Sequence, residues 1–360
     1  MLLFLIITAV LLIVASLTPL SNSRRWYVRA LDFPRFQIAC LSSAWLAVYL
    51  FSGLPSYWAL HAGAVLVAGV LLYQFIWIFQ YTQLHDVEMQ SLQRDTQSTH
   101  PRIRILSSNV LMHNTAASAL LNLVEQHRPD VLITLETNQW WQDQLDILDD
   151  YPHRLACPLE NLYGMHVYSR LPLHNPIISY LVEDDKPSMS MQVQLHDNTH
   201  IQLYVLHPAP PAPNENLESI ERDVELLQVA RSVAGTHTPI IVAGDLNDVA
   251  WSATTRLFRQ ISGLLDPRVG RGFFNTFHAH HWFLRWPLDH VFASEHFKLL
   301  QLKRLPKIGS DHFPLLVELA LSNTPGNLDA GNQTIEDTEL LDEILDTDTA
   351  ERALQPVKPA

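Results

Sequence analysis

Eight polar residues in the middle of the chain stand where chemistry can be done. Asn109 ends the apolar run "IRILSSNV", Glu136 ends "VLITLE" and His207 ends "HIQLYVLH". Asp245 and Asn247 follow "PIIVAG", Asp289 lies inside the start of "PLDHVFAS", and Asp311 and His312 precede "PLLVELAL". Carboxylate, amide and imidazole groups are thus available, without a cysteine cluster or a G-x-S-x-G nucleophile. Hard oxygen donors such as Glu136 suit Mg²⁺ or Mn²⁺, which keep several waters and bind through one or two carboxylates plus substrate phosphate. This combination points to attack by water on phosphorus. A metal neutralises phosphoryl charge, an aspartate takes a proton from water, and amide and imidazole groups donate to the non-bridging oxygens. No G-x-x-x-x-G-K-[ST] loop is present, so nucleotide-driven transfer has no support.

Each of these residues also has an ordinary structural use. "GDLND" read alone is a turn, because Gly, Asp and Asn favour turns for backbone reasons. Asn109 could cap a strand, and Asp289 could pair with an arginine. What argues for chemistry is that all of them fall at or near strand ends, which suggests one site on the rim of a sheet. Arg170 is equally suited to substrate contact or a structural ion pair. His278, His280 and His281 have no thiol nearby and a spacing that fits no standard zinc site, so they are expected in an exposed loop.

The elements that must position these groups alternate strand and helix at first and then become strand-rich. Strands are expected at 103–110, 131–136, 163–173, 190–195, 200–207, 239–243, 287–294 and 314–321, with amphipathic helices at 115–130 and 215–234. A largely β interior with flanking helices fits this order. Residues 102–321 are long enough for one large core.

Charge divides the chain. Residues 1–99 carry five basic and four acidic residues, 100–321 carry 17 and 24, and 322–360 carry two and nine. The net charge of −13 argues against a general polyanion binder, whose affinity comes from phosphate neutralisation by Lys and Arg. Two distant cysteines, Cys40 and Cys157, exclude a disulfide framework.

The first 81 residues hold three uncharged apolar stretches, 2–20, 36–54 and about 58–81, each near the length that crosses a bilayer. They predict a three-span transmembrane anchor over 1–81. The loop between the first two carries Arg24, Arg25, Arg29 and Arg35 against Asp32, which puts it in the cytoplasm. An odd number of spans then places the middle segment in the cytoplasm as well. Residues 82–101 read as a polar linker, and 322–360 as an acidic, mostly disordered tail with at most one transient helix.

"SSNV", "LITLET", "YSRLPL", "VLHPAPP", "GDLND", "PLDHVF" and "GSDHFPL" occur in the order found in the endonuclease/exonuclease/phosphatase superfamily, which contains the pancreatic deoxyribonuclease-like enzymes. The sequence resembles that superfamily over residues 102–320, and the three spans resemble a membrane-anchored bacterial branch of it, which implies an inner-membrane location. The resemblance implies a four-layer α/β sandwich, two central sheets flanked by helices. It further implies Glu136 as principal Mg²⁺ ligand, with Mn²⁺ as an alternative, and Asn109 and Asp311 beside the metal. Asp245 would orient or deprotonate water, and Asn247 would hold the scissile phosphate. His207 and His312 would face the phosphate, with Asp289 polarising His312. Gly244 would let the backbone turn so that Asp245 and Asn247 reach one phosphate. The carboxylate that pairs with the first histidine in relatives has no evident counterpart for His207, and His166 stands where many relatives have an apolar residue.

The function expected is that of a membrane-anchored, Mg²⁺-dependent phosphohydrolase, foremost a phosphodiesterase. Its substrate would be a lipid, a small phosphodiester or a nucleic acid. For the last, "RVGRGFF" (268–274) could supply two arginines and stacking aromatics. The rival class is a non-catalytic membrane protein whose domain binds a partner. The lipid bilayer is the other expected contact, through the N-terminal helices, and no protein partner is inferred.

Overall fold

The structure is a computed structural model. It describes residues 1–21, 23–53, 57–92, 100–322 and 335–353. Three long apolar helices come first: α1 (Leu2–Leu17), α3 (Arg35–Phe51) and α4 (Trp58–Phe79), with the short α2 (Trp26–Arg29) between the first two. Leu5, Ala9 and Leu12 of α1, Ile38 and Trp45 of α3, and Leu60, Val67 and Val70 of α4 pack together. Their order along each helix shows that α3 runs antiparallel to α1 and α4. Trp45 Nε1 donates to Leu5 O at 3.0 Å at one end. At the other end Arg35 donates to Gln74, and Gln74 to Ser16.

Among the described residues, only α1 and α4 are long and apolar enough to cross a membrane by length and composition. The expected middle span is instead the 17-residue α3, which opens on the buried Arg35. At about 1.5 Å per residue it reaches about 26 Å, short of a hydrocarbon core about 30 Å thick. The expectation of three equivalent spans is corrected accordingly.

Past the helices, strands β1 (Arg102–Asn109), β2 (Val131–Leu135), β3 (His153–Cys157), β4 (Met165–Ser169), β10 (Phe297–Arg304) and β11 (Leu315–Leu321) form one sheet, in the order β10-β11-β1-β2-β4-β3. A second sheet has the consecutive order β5 (Leu173–Ser179), β6 (Ser188–Gln194), β7 (His200–Leu206), β8 (Ile240–Asp245) and β9 (Asp289–Ala293). Both are mixed: β1–β2 and β7–β8 are the parallel pairs. The sheets face each other across a core that includes Ile103, Ile133 and Val317 from one and Met191, Leu203 and Ile241 from the other. Alternate residues on each strand point outward. On the first sheet Leu106, Leu132 and Tyr168 meet α5 (Ala117–His127) and α6 (Gln139–Leu145). On the second, Leu206, Val242 and Phe292 meet α7 (Ile220–Val233) and α8 (Ala253–Ser262). The result is two mixed sheets flanked by helices.

The outer face of the first sheet also buries His166, with neither ring nitrogen hydrogen-bonded, so burial depresses it to about 4.

Two flanking segments differ from expectation. The stretch read as a linker enters the core: Met89 is fully buried among residues of both sheets. Glu88 pairs with the buried Arg259 and accepts from Asp266 N at 2.8 Å. Within the acidic tail, α9 (Ile335–Leu345) and α10 (Asp348–Ala353) are helical. Ile344 and Ala350 pack on Val224, Leu227 and Leu257 of α7 and α8, a docking that the short apolar patch alone did not predict.

Candidate active site

Strand register brings the eight residues to one rim. In the parallel pair β1–β2, Asn109 is level with Leu135, so Asn109 and Glu136 leave the sheet together. In β7–β8, Leu206 is level with Gly244, which puts His207 beside Asp245. Asp245 is in turn the partner of Asp289 on β9. Ser107 pairs with Leu315, so residues 311 and 312 lie beyond the same end of β1. Arg170 follows Ser169, which is level with Val131 at the opposite end of β2, and so lies away from the rim.

The side chains converge as the register requires. Asn109 Nδ2 donates to Glu136 Oε1 at 2.7 Å and to Asp245 Oδ2 at 3.1 Å, joining the two sheets. His312 Nδ1 lies 2.8 Å from Asp289 Oδ2, and its Nε2 lies 3.5 Å from Asp245 Oδ2. Asp245 Oδ1 also accepts from Asn247 N at 3.0 Å. Asn247 is anchored through Nδ2 to Pro208 O. Ser310 Oγ donates to Asn109 O and accepts from His312 N, tying the Asp311–His312 turn to the end of β1. Asp311 sits beside this turn, partly open to solvent.

The backbone supports this arrangement in an unexpected way. Gly244 does not make a turn. It lies within β8 at φ +143°, where an added Cβ would stand 2.0 Å from Leu206 O. Its role is to allow close approach of β7, and the left-handed position belongs to Asn247, at φ 51°. Glu136 is also left-handed, at φ 57°, a region costly for residues with a side chain and common at functional sites.

The charges are strongly coupled. Burial would lower the His312 pKa, but the flanking carboxylates of Asp289 and Asp245 outweigh it and hold the ring up at about 10. His312 is therefore an imidazolium at neutral pH. Asp245 resists the upward pull of burial because His312, His207 and its hydrogen bonds favour the ionised form, and its pKa is lowered. His207 goes the other way: burial depresses it to about 4, against the attraction of Asp245. Among the described residues no carboxylate bonds its Nδ1, and its ring packs instead against Tyr163 at 5.2 Å. Tyr163 donates to Glu215. The missing acidic partner of His207 is thus replaced by an aromatic face.

Ligand atoms of Asp245, Asp289 and His312 lie within 4.8 Å of one another, a grouping that could hold a metal. The imidazolium already occupies that place, since both ring nitrogens face carboxylates and offer no lone pair. The neighbouring carboxylate fits a cation better. Burial pushes Glu136 up to about 7, Asn109 opposes this, and Asp311 and Asp245 raise it further. A largely buried carboxylate short of positive charge, beside the Asn109 side-chain amide and a partly exposed aspartate, is a residue set suited to a hard divalent ion.

Several contributors were not visible in the sequence. Arg222, on α7, is fully buried and reaches Asp223, Asp248 and the carbonyl of Asn247, so it fixes the loop after Asp245. Arg285 and Arg304 lie over the ring of Phe313, next to His312. Phe277 packs on the His312 ring at 4.9 Å, and the loop that follows presents His278, His280 and His281 at the mouth, with Ala279 N donating to Asp311 O. "RVGRGFF" does not form a free basic surface. Arg268 is buried against Asp266 and His290, Arg271 donates to Pro267 O, Met89 O and Ser91 Oγ, and Phe273 packs on Tyr81 and Trp251.

The family model for the Endonuclease/Exonuclease/phosphatase family matches residues 106–312. Among solved structures, the chain is similar to an endonuclease/exonuclease/phosphatase from Beutenbergia cavernae (15% identity, TM-score 0.50, covering 62% of this chain and 72% of that one). It is similar to the human Nocturnin catalytic domain with bound sulfate anion (17%, TM-score 0.51, 62% and 94%). A family protein from Bacteroides thetaiotaomicron gives 18%, TM-score 0.50, 63% and 98%. Likenesses at these identities speak for the fold alone. No curated protein matches the sequence.

Proposed function

The chain belongs to the endonuclease/exonuclease/phosphatase family, whose members are metal-dependent hydrolases of phosphoester bonds, and from that premise we propose a membrane-anchored, Mg²⁺-dependent phosphodiesterase. The observation that carries this reading is the linked set Glu136–Asn109–Asp245–His312–Asp289, closed by hydrogen bonds and one ion pair. Glu136, Asn109 and Asp311 would hold the divalent ion, which when bound neutralises phosphoryl charge.

The remaining steps fall to the chain itself. Asp245, ionised and fixed by Asn109, Asn247 N and His312, orients the attacking water and accepts its proton as the new P–O bond forms, while the ester P–O bond breaks and the departing alkoxide takes a proton from solvent water. His312, charged and held by Asp289, donates to a non-bridging oxygen as negative charge builds there. His207 is neutral and supplies a hydrogen bond rather than a charge. Asn247 steadies the phosphate, and its own loop is held by Arg222. Water is excluded on one side by Phe277 and on another by Tyr163.

Two observations favour a phosphoester presented at a membrane over nucleic acid. The arginines of "RVGRGFF" are spent on internal partners. The loop at the mouth instead exposes Trp282 and Phe283, and Gln37 of α3 donates to Phe283 O at 3.0 Å, which sets these aromatics beside the apolar helices. Aromatic side chains favour the membrane interface. The anchor is formed by α1 and α4 with α3 packed along them. The arginine-bearing loop after α1 touches the catalytic part, Trp26 N donating to Leu217 O and Ser219 N to Arg24 O. Loop and catalytic part therefore share one side, which supports a cytoplasmic location.

The test is a substrate panel: bis(p-nitrophenyl) phosphate, phospholipid vesicles, plasmid and single-stranded DNA, each with Mg²⁺ and with EDTA. Metal-dependent turnover of the small diester and of vesicle lipid is expected. Cleavage confined to DNA would replace the reading with a nuclease, and no turnover of any substrate would leave a binding module.

A further inference from the structure

A cavity with about 100 Å³ of space, lined by none of the eight rim residues, lies where the domain-side ends of the apolar helices meet α7 and α8. Its wall is made by the end of α1 (Pro19, Leu20), by Tyr73 and Trp77 of α4, and by Ala253 and Thr254 of α8. Four arginines line it: Arg24, Arg29, Arg35 and Arg256.

The carboxylates in the same wall are largely committed. Asp32 is held by Arg35 at 2.9 Å and by Arg29 at 3.5 Å. Asp223 is bonded by Arg222 and Ser219. Glu339 of α9 stands at the edge, and Glu343 lies 3.9 Å from Arg24. Against this, Arg35 is more than nine-tenths buried, and its Nε has no hydrogen-bond partner; the buried Nε of Arg24 has none either. The guanidinium of Arg35 rests over Tyr73 and Trp77, and that of Arg256 over Trp77 at 4.1 Å. Stacking of this kind fixes the planes of the cations. An N–H kept from water without an acceptor costs about 1–3 kcal/mol, so an acceptor in the cavity would be stabilising.

We propose that this cavity binds the phosphate of an anionic phospholipid headgroup, at a site separate from the catalytic one. The inference rests on the membrane placement of α1 and α4 given above and not on the catalytic assignment. Its argument is position: the cavity opens where two apolar helices end, the depth at which lipid phosphates lie. Basic pockets between membrane helices on the cytoplasmic side are suited to anionic headgroups.

The experiment uses the full chain in detergent, stripped of lipid, with EDTA to suppress turnover. Binding of short-chain phosphatidylglycerol, phosphatidylcholine and inorganic phosphate is followed by native mass spectrometry and by thermal shift. Phosphatidylglycerol is expected to bind at least about fivefold more tightly than phosphatidylcholine, a difference of about 1 kcal/mol. Arg24→Gln/Arg256→Gln should abolish that preference, and the exposed control Arg102→Gln/Arg128→Gln should keep it. Arg24→Gln alone, at a half-buried position, serves if the double variant does not fold, and should lower the preference about twofold or more. Equal binding of the two lipids, or a preference that survives loss of Arg24, overturns the proposal. Displacement of phosphatidylglycerol by equimolar inorganic phosphate overturns the lipid source and leaves a free-phosphate site. A failed hydrolysis assay would leave all these readouts intact.

Discussion

Asp289→Asn isolates the ion pair on which the chemistry depends. The substitution keeps shape and one acceptor oxygen but removes the charge 2.8 Å from His312 Nδ1. With two carboxylates against it the imidazolium persists to about pH 10. An opposite charge at hydrogen-bond distance is worth one to three pH units, so losing the nearer one should bring the transition down by about two, or roughly 3 kcal/mol. The sign follows from the raised pKa: the charged form, and the stability it confers, is complete below the unfolded value of 6.5 and is lost as pH rises through the folded value. At pH 7 the ring is still charged in both proteins. At pH 9 it is about nine-tenths charged in the parent and about one-tenth in the variant, so the ratio of variant to parent kcat/KM should fall a further ninefold or so between pH 7 and 9. Hydrolysis of bis(p-nitrophenyl) phosphate across pH 6–10 at saturating Mg²⁺ reads this directly. A ratio that stays flat across that range would refute the assignment of His312 as the charged donor held by Asp289.

Three further outcomes are expected. Asp245→Ala should lower kcat by about 10²–10⁴ while circular dichroism and the melting curve show a folded protein, since a positioned proton acceptor contributes on that scale. Arg222→Met should lower stability by about 3–5 kcal/mol in urea titration, because Asp223 and Asp248 would be left buried and unpaired. His166 is neutral in the fold with a pKa lowered to about 4, so its contribution is present above pH 6.5 and declines as pH falls toward 4. The stability gap favouring His166→Leu over the parent should therefore widen by about 2 kcal/mol between pH 7 and pH 5.

The candidate site could be read from the sequence because its polar residues interrupt strands that are otherwise apolar. Parallel pairing of β1 with β2 and of β7 with β8 then turned "strand end" into "same rim", since Asn109, Glu136, His207 and Asp245 all follow such strands. Elements with weaker contrast were missed. β10, "FKLLQLKR", mixes apolar and basic residues because only part of it faces the core. α8, "ATTRLFRQIS", buries Thr254, Thr255 and Arg259 as well as Leu257 and Phe258, so its inner face does not look apolar. Charge pairing was equally hidden. Nothing in the spelling of "RVGRGFF" shows that Arg268 is matched by Asp266 two residues earlier, or that Arg222 reaches across to Asn247. Gly244 carried the opposite lesson: a residue expected for its turn was needed for the space it leaves.

Met89 and Glu88 bear on how this enzyme can be handled. A soluble fragment begun at Arg102 would leave a methionine-sized hole between the sheets and strip Arg259 of its carboxylate, a loss of about 3–5 kcal/mol from the charge alone. Set against a typical total of about 5–15 kcal/mol, such a fragment would hover near unfolding. Shortening should begin upstream of Val87. Cleavage by a protease before Glu88 would leave the plug on the catalytic part, whereas cleavage just after Leu92 would sever it and inactivate by loosening the interior.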